Sequence, residues 1–456
     1  MKDRHGLLTQ PIGRVLLNMS LPNLIGILTI LAFNLVDTFF ISKLGTDALT
    51  SISFTFPVTL VVSSIAIGIG AGVATRLGRL IGGGHAQQAK VFLGDSLLLT
   101  VLMVSAIAII GSLCIKPLFL LLGAEPSHIP LIRQYMSIWF LGVPLLVLLM
   151  VGNQGLRATG NTRAPAAIMS LAAIINLILD PLLIFGIGPF PQLGIQGAAI
   201  ATVISWLTAF LLSAYLLLLK HKMLQFGSID LSRYRENWKQ LAHIAQPATL
   251  MNLINPLANA AIMALLARMD HDAVAAFGAG TRIESIMLIV VMALSSSLVP
   301  FVAQNLGAGQ QYRARQALLY SVSFVLIFQT VLYLPLAYFA EPIAHLFSQD
   351  ANVIEWLSFY ILVLPIAYGP LGVVILVATS LNAYHRPMAS LLLNVARLFG
   401  LMLPLAAAGA YFFGVAGVFV ALPISNAIAG IACLIIAKSI TEPSNATDDI
   451  VPMTEQ

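Results

Sequence analysis

The sequence predicts an all-α polytopic membrane protein with twelve transmembrane helices in two pseudo-symmetric six-helix lobes. Three observations carry that expectation. Of 456 residues, 59% are hydrophobic and only 9% charged, against roughly 25% charged in a soluble domain. The mean hydropathy is +0.94, and apolar stretches of about 20 residues, the length that crosses ~30 Å of hydrocarbon, recur along the chain. Blocks from the first half also reappear in the second at a constant separation.

Taken in order, the spans fall near 12 to 41, 51 to 80, 90 to 115, 131 to 155, 165 to 187 and 194 to 219. A second set follows near 240 to 268, 276 to 305, 315 to 338, 351 to 380, 388 to 412 and 416 to 440. Between the sets lies KHKMLQFGSIDLSRYRENWKQ, the longest polar stretch. The expected organisation is an N-terminal lobe over 1–219, a cytoplasmic linker over 220–239, a C-terminal lobe over 240–440 and a cytoplasmic tail over 441–456. Within the linker, SRYRENWK reads as a solvated run. The start, MKDRHGLLTQPIGRVLLNMSLP, is charged but lacks an apolar region ending in a small-residue cleavage site, so it reads as retained.

Charge gives the orientation. With both termini cytoplasmic, Lys43, Lys116, Arg133 and Arg268 fall on the outer face, Arg282 and Arg397 lie within spans, and the rest of the 23 Lys and Arg gather at cytoplasmic ends. That bias follows the positive-inside rule and accounts for the net charge of +5 without nucleic acid. Cys114 and Cys433 show neither metal-ligand spacing nor a disulfide framework.

The halves are related. GTDALTSIS from Gly45 resembles DHDAVAAFG from Asp270, so that Asp47 pairs with Asp272, 225 residues on. The same separation aligns LIGGGHAQQA from Leu80 with NLGAGQQYRA from Asn305, and Pro22 with Pro247. Each half holds an even number of spans, so the repeat is parallel, and parallel repeats place a substrate site between lobes that rock.

Against this repeat, LAFNLVDTFF stands out. Asn34 maps onto Asn259, whereas Asp37 maps onto Ile262. In the fifth span, NLILDPLLIFG puts Asn176 and Asp180 at i and i+4 on one helical face, and the matching stretch FGLMLPLAAAG has no acid. A carboxylate in hydrocarbon is costly, so an intramembrane acid is a functional candidate by default. A structural cap is the alternative for Asp180.

The spans, the Pro22 to Asp37 spacing, NLILDPLLIFG, GNQGLRATGNTRAP and VAQNLGAGQ together resemble the multidrug and toxic compound extrusion (MATE) family over nearly the whole chain. Within it they resemble the DNA-damage-inducible (DinF-like) branch, with acids on the first and fifth spans. The resemblance implies a V-shaped cavity and antiport: an organic, cationic and amphipathic drug or dye leaves as protons, or sodium, enter. It transfers coupling roles to Asp37, Asn176, Asp180 and Asn153, with sodium as an alternative occupant of Asp37, Asn176 and Asp180. Asn34, Phe33, Thr202 and Arg397 are weaker candidates for the substrate cavity. Pro22 lacks a backbone donor and can kink the first helix. Acids expected on the seventh and tenth spans of another branch are missing, which weakens a sodium site in the second lobe.

Other features read as structural. Arg397 is expected to snorkel towards the cytoplasmic face, Arg282 and Glu284 to tie helices together, and Asp95 to begin the third span, where an acid suits a helix N-terminus. GIGIGAG lies in an apolar span without a strand or Walker lysine, so it reads as close helix packing. The Asn445 sequon falls on the expected cytoplasmic tail. The chain is thus expected to be a monomeric, multi-pass plasma-membrane protein, the inner membrane in a bacterium, in contact with lipid. It is not expected to be an enzyme or to need a cofactor. Two rivals remain: a lipid-linked precursor flippase, which would want a more cationic cavity, and a proton-conducting subunit of a membrane complex.

Overall fold

The computed structural model describes residues 6–225 and 230–440. The tail over 441–456 with Asn445, and Lys2 and Arg4, lie outside the described residues. In the first half, α1 (Ile12–Ser42) is followed by a short α2 (Thr46–Ser53) and α3 (Phe56–Gly82). Pro57 occupies the first turn of α3, where its missing N–H removes no helical bond. Next come α4 (Ala86–Leu113), α5 (Ile115–Leu121), α6 (Ile129–Ala158), α7 (Arg163–Phe185) and α8 (Ile195–Tyr215). The second half contains α9 (Leu231–Ala267), α10 (His271–Met287), α11 (Ile289–Gly307), α12 (Gln311–Tyr338), α13 (Ala340–Phe347), α14 (Ala351–Val363), α15 (Tyr368–Ala383), α16 (Pro387–Val395) and α17 (Leu403–Ile440).

Among the described residues, 11 helical segments are long and apolar enough to cross a membrane. The last of them, Pro387–Lys438, runs 52 residues and breaks at Gly414, whose φ of 65° suits glycine alone. It therefore makes two crossings. A Cβ on Gly409 or Gly417 would overlap the other's carbonyl, so the two arms run back against each other at backbone distance. The tenth crossing is α14 and α15 joined by a tight 3₁₀ turn at Pro365–Ala367, where Pro365 cannot donate to an α-helical ladder.

Two sequence expectations change here. Asp230 caps α9 by accepting from the Ser232 and Arg233 N–H groups at 2.9 and 3.3 Å, so the charged SRYRENWK run is helical and belongs to the seventh span rather than to a linker. Asp95 does not begin a helix. It lies inside α4, only 1% exposed, where it accepts from Arg233 Nε at 3.1 Å and Asn237 Nδ2 at 2.7 Å. The buried carboxylate thus anchors the start of α9 on the first half.

There are two large apolar cores, and each borrows from the other half. The core built from α9 to α17 also takes Leu7, Ile12, Val15, Leu16 and Met19 from the N-terminal end of α1 and the segment before it. The core of the first half takes Leu241 and Ala245 from the start of α9. Pro22 therefore sits between the part of α1 that belongs to the second core and the part, from Gly26 onward, that packs along α7. Next to it, Asn23 is buried and donates to Ser297 Oγ of α11 at 2.9 Å. Helix α1 stays helical throughout Ile12–Ser42, although the ring of Pro22 leaves the Asn18 carbonyl without its i+4 donor.

Among the described residues, side-chain hydrogen bonds between the halves are gathered at the end of the bundle that holds the start of α1. Arg79 directs Nε and Nη2 at the Ala383 carbonyl, at 3.1 and 2.7 Å. Gln304 donates to the Ala158 carbonyl, and Asn305 and Arg313 to that of Leu7. Glycine makes the approach close: a Cβ on Gly82 would overlap the Gln304 carbonyl, and one on Gly307 the Arg79 carbonyl.

Candidate functional site

Helix α7 provides the centre of the site. Asn176 and Asp180 are one turn apart and fully buried, with Asn176 Nδ2 donating to Asp180 Oδ1 at 3.0 Å. Asp180 Oδ2 and Asn176 Oδ1 are buried without a partner. Pro181 follows directly inside the helix, so the Leu177 carbonyl of the preceding turn also lacks its usual donor. Asp37 stands on α1, which is tied to α7 where Thr29 Oγ1 meets Ser170 Oγ at 3.3 Å. One Asp37 oxygen is buried and unpaired. Asp37 and Asp180 lie within electrostatic reach of each other.

The remaining candidates are less tightly assembled. Asn153 of α6 is buried with Oδ1 unpaired, but among the described residues no hydrogen bond joins it to Asp180. Thr202 is buried on α8, the helix packed along α7, with its hydroxyl unpaired. Phe33 is half-buried and Asn34 exposed. Sequence reasoning missed Tyr135 of α6, which is buried within electrostatic reach of both Asp37 and Asp180. The repeat could have found it, because 225 residues on stands Tyr360, which is also buried beside an acid, Glu284.

Buried, unsatisfied oxygens of carboxylate and amide groups can take up a proton or a hard cation. Among the described residues, no group of three or more His, Cys, Asp or Glu side chains could hold a metal ion. The site suits reversible loading by a small cation rather than a resident metal.

A family model described as MatE matches residues 22–182 and, again, 247–408. The chain belongs to the MATE family. The two matches start at Pro22 and Pro247, the separation at which the sequence repeats. The chain is 70% identical to the FAD transporter of Shewanella oneidensis over 98% of this chain and 99% of that protein. It is 27% identical to the probable multidrug resistance protein YoeA of Bacillus subtilis, over 84% of each. Among solved structures, the Vibrio cholerae MATE transporter VcmN in its bent form superposes with a TM-score of 0.90 at 32% identity, covering 94% of this chain and 97% of that one.

In this MATE protein the second half carries a different set of polar residues. Ile262, at the position of Asp37, is fully buried in the apolar core. Arg397 does not snorkel. It is 7% exposed, with Nη1 donating to Asn426 Oδ1 and Nη2 to Asn255 Oδ1, each at 3.0 Å. Two amide acceptors hold the guanidinium inside the bundle, which removes the reason to reach for water. Arg282 is exposed, so only Glu284 ties helices, through Tyr360 Oη at 3.5 Å.

Proposed function

We propose that this transporter exports flavin adenine dinucleotide in exchange for a cation, by alternating access through a cleft between the two halves. The observation that carries the substrate is the 70% identity, along 98% of the chain, to the FAD transporter of Shewanella oneidensis. The coupling ion is a proton, with sodium the alternative, taken by Asp37 and Asp180 with Asn176 as the neighbouring donor. Asn153 and Tyr135 complete their surroundings. In a bacterium the chain sits in the inner membrane with both termini cytoplasmic. The bonded end of the bundle is then the closed cytoplasmic side, and the cleft opens outward.

The dinucleotide alters the coupling argument. An organic cation would compete with protons for the acids directly. A diphosphate is repelled by the same carboxylates, and protonating them would ease its entry rather than eject it. Exchange therefore requires the loaded cation to change the shape of the cleft. Pro22 supports this, because it divides α1 into a part packed with the second half and a part carrying Asp37 towards α7. Loading Asp37 would swing one part relative to the other. Each elementary charge crossing the membrane contributes ~2.3 kcal/mol per 100 mV, enough to accumulate substrate appreciably.

Purified protein in liposomes loaded with FAD, with proton and sodium gradients imposed separately, tests the reading through released flavin fluorescence. We expect gradient-driven FAD release. Export of a cationic dye is the second reading, supported by the unpaired carboxylate oxygens of the first half and the likeness to YoeA. It corresponds to the drug-exporting DinF-like branch. Ethidium movement without FAD movement would replace the first reading with the second.

A further inference from the structure

We propose that Arg397, Asn255 and Asn426 form an anion subsite that takes a phosphate or diphosphate group, an inference that rests on the dinucleotide reading of the cleft. The guanidinium is buried within the eleventh span, and among the described residues no carboxylate lies within 4.0 Å of it. Its two bonds go to neutral amides, and Nε is buried with no partner. Glu284 is the acid that faces it, but its hydrogen bond goes to Tyr360. An intramembrane arginine is costly and marks a functional site by default, and one with an idle donor holds a coordination position in reserve.

Local backbone points the same way. Arg397 lies on a π-helical turn, Ala396–Met402, a rare irregularity frequent at functional sites. Asn255 precedes Pro256 inside α9, so the Asn252 carbonyl loses its donor and the helix can flex beside the arginine. Helix α9 packs on both α3 of the first half and α16 of the second, placing Asn255 on the helix that borders the seam. The fold does not require these groups. Moving back 225 residues, Ala172 replaces Arg397, Ile30 replaces Asn255 and Ala201 replaces Asn426.

The chemistry fits a phosphate. A planar guanidinium presents paired N–H donors to two phosphate oxygens, and amides of Asn255 and Asn426 hold the plane in advance. Acidic groups for the coupling ion thus occupy one half and the cationic group for the substrate the other.

Inorganic diphosphate, FAD and riboflavin serve as probes on the full chain in phosphatidylcholine nanodiscs, with Arg397→Gln, Arg397→Lys and Asn255→Ala. We expect Arg397→Gln to weaken diphosphate and FAD at least tenfold while changing riboflavin less than twofold. Arg397→Lys should recover part of the loss. If Arg397→Gln does not fold, the same split in Asn255→Ala supports the subsite, and an unchanged diphosphate affinity there overturns it. Wild-type protein that ignores diphosphate also overturns it. FAD export that persists in Arg397→Gln with unchanged affinity removes the subsite and leaves the export reading. Diphosphate binding that depends on Arg397, in protein that moves no FAD, does the reverse. Adding phosphatidylglycerol separates the two phosphate sources: displacement of diphosphate by the lipid would assign Arg397 to a headgroup and overturn the substrate role.

Discussion

Arg79→Met removes the fork that joins α3 to the end of α15 while keeping most of the apolar stem. Hydrogen bonds to charged groups contribute about 1.5–3 kcal/mol. Both Arg79 donors share one carbonyl and the side chain is half-buried, so the lower part of the range applies, about 2 kcal/mol for the pair. At ~1.4 kcal/mol per tenfold that is about a 30-fold shift. A closed-to-open ratio of about 100 to 1 at this end would fall to about 3 to 1. Spin labels at Gln88→Cys and Gln311→Cys, both exposed at the starts of α4 and α12, report the separation of the halves. Exposed Cys114 is first replaced by serine, and buried Cys433 is left in place. We expect a second, longer distance in Arg79→Met, together with slower export. A folded variant with an unchanged distance distribution would refute the reasoning that this bond keeps the end shut.

Three further outcomes follow from the same geometry. Asp37→Asn, nearly isosteric but unable to titrate, should reduce gradient-driven export to the level of empty vesicles without lowering the melting temperature; wild-type export from it would remove Asp37 from the coupling site. Ile262→Val, at the pseudo-equivalent buried position, should cost about 0.5–1.5 kcal/mol of stability and leave transport intact, and a transport loss beyond that cost would show chemistry in the second core. Burial, then the neighbouring Arg79, Arg76 and His243, pushes the His385 imidazole in the loop after α15 down to about 4. The unfolded chain titrates near ~6.5, so this contribution to stability is complete above that pH and is lost as pH falls towards 4. Thermal melts at pH 7.5 and 5 should therefore differ more in wild type than in His385→Gln, and equal differences would exclude His385 as the cause.

Hydropathy and the repeat made most of the fold legible, because crossing a bilayer needs a long apolar run and the repeat pairs those runs. The breaks at Leu288 and Pro365–Ala367 were invisible to that reading, since a tight turn inside an apolar run leaves its hydropathy unchanged. Asp95 and Arg397 were misread for a common reason. Each was placed by its distance from a presumed helix end, whereas its role is set by partners 138 and 29 residues away in sequence. Asn176 and Asp180 were legible because i and i+4 fixes their contact locally. Tyr135 could have been found only by carrying the repeat onto a residue with no charge to draw attention to it. The substrate was not legible, since an apolar cleft with a few polar groups discriminates weakly between shapes.

The exchange of core residues between halves bears on how the chain is made. A ribosome delivers the first six crossings before α9 exists, and at that moment the inner end of their core lacks Leu241 and Ala245. The segment from Leu7 to Met19 meanwhile waits for a core that has not been synthesised. Neither half can finish folding in the bilayer alone, and the chain must complete both at once, after its second half arrives. The two repeats share an ancestry, yet a cut between them would yield two incomplete membrane domains rather than two independent ones.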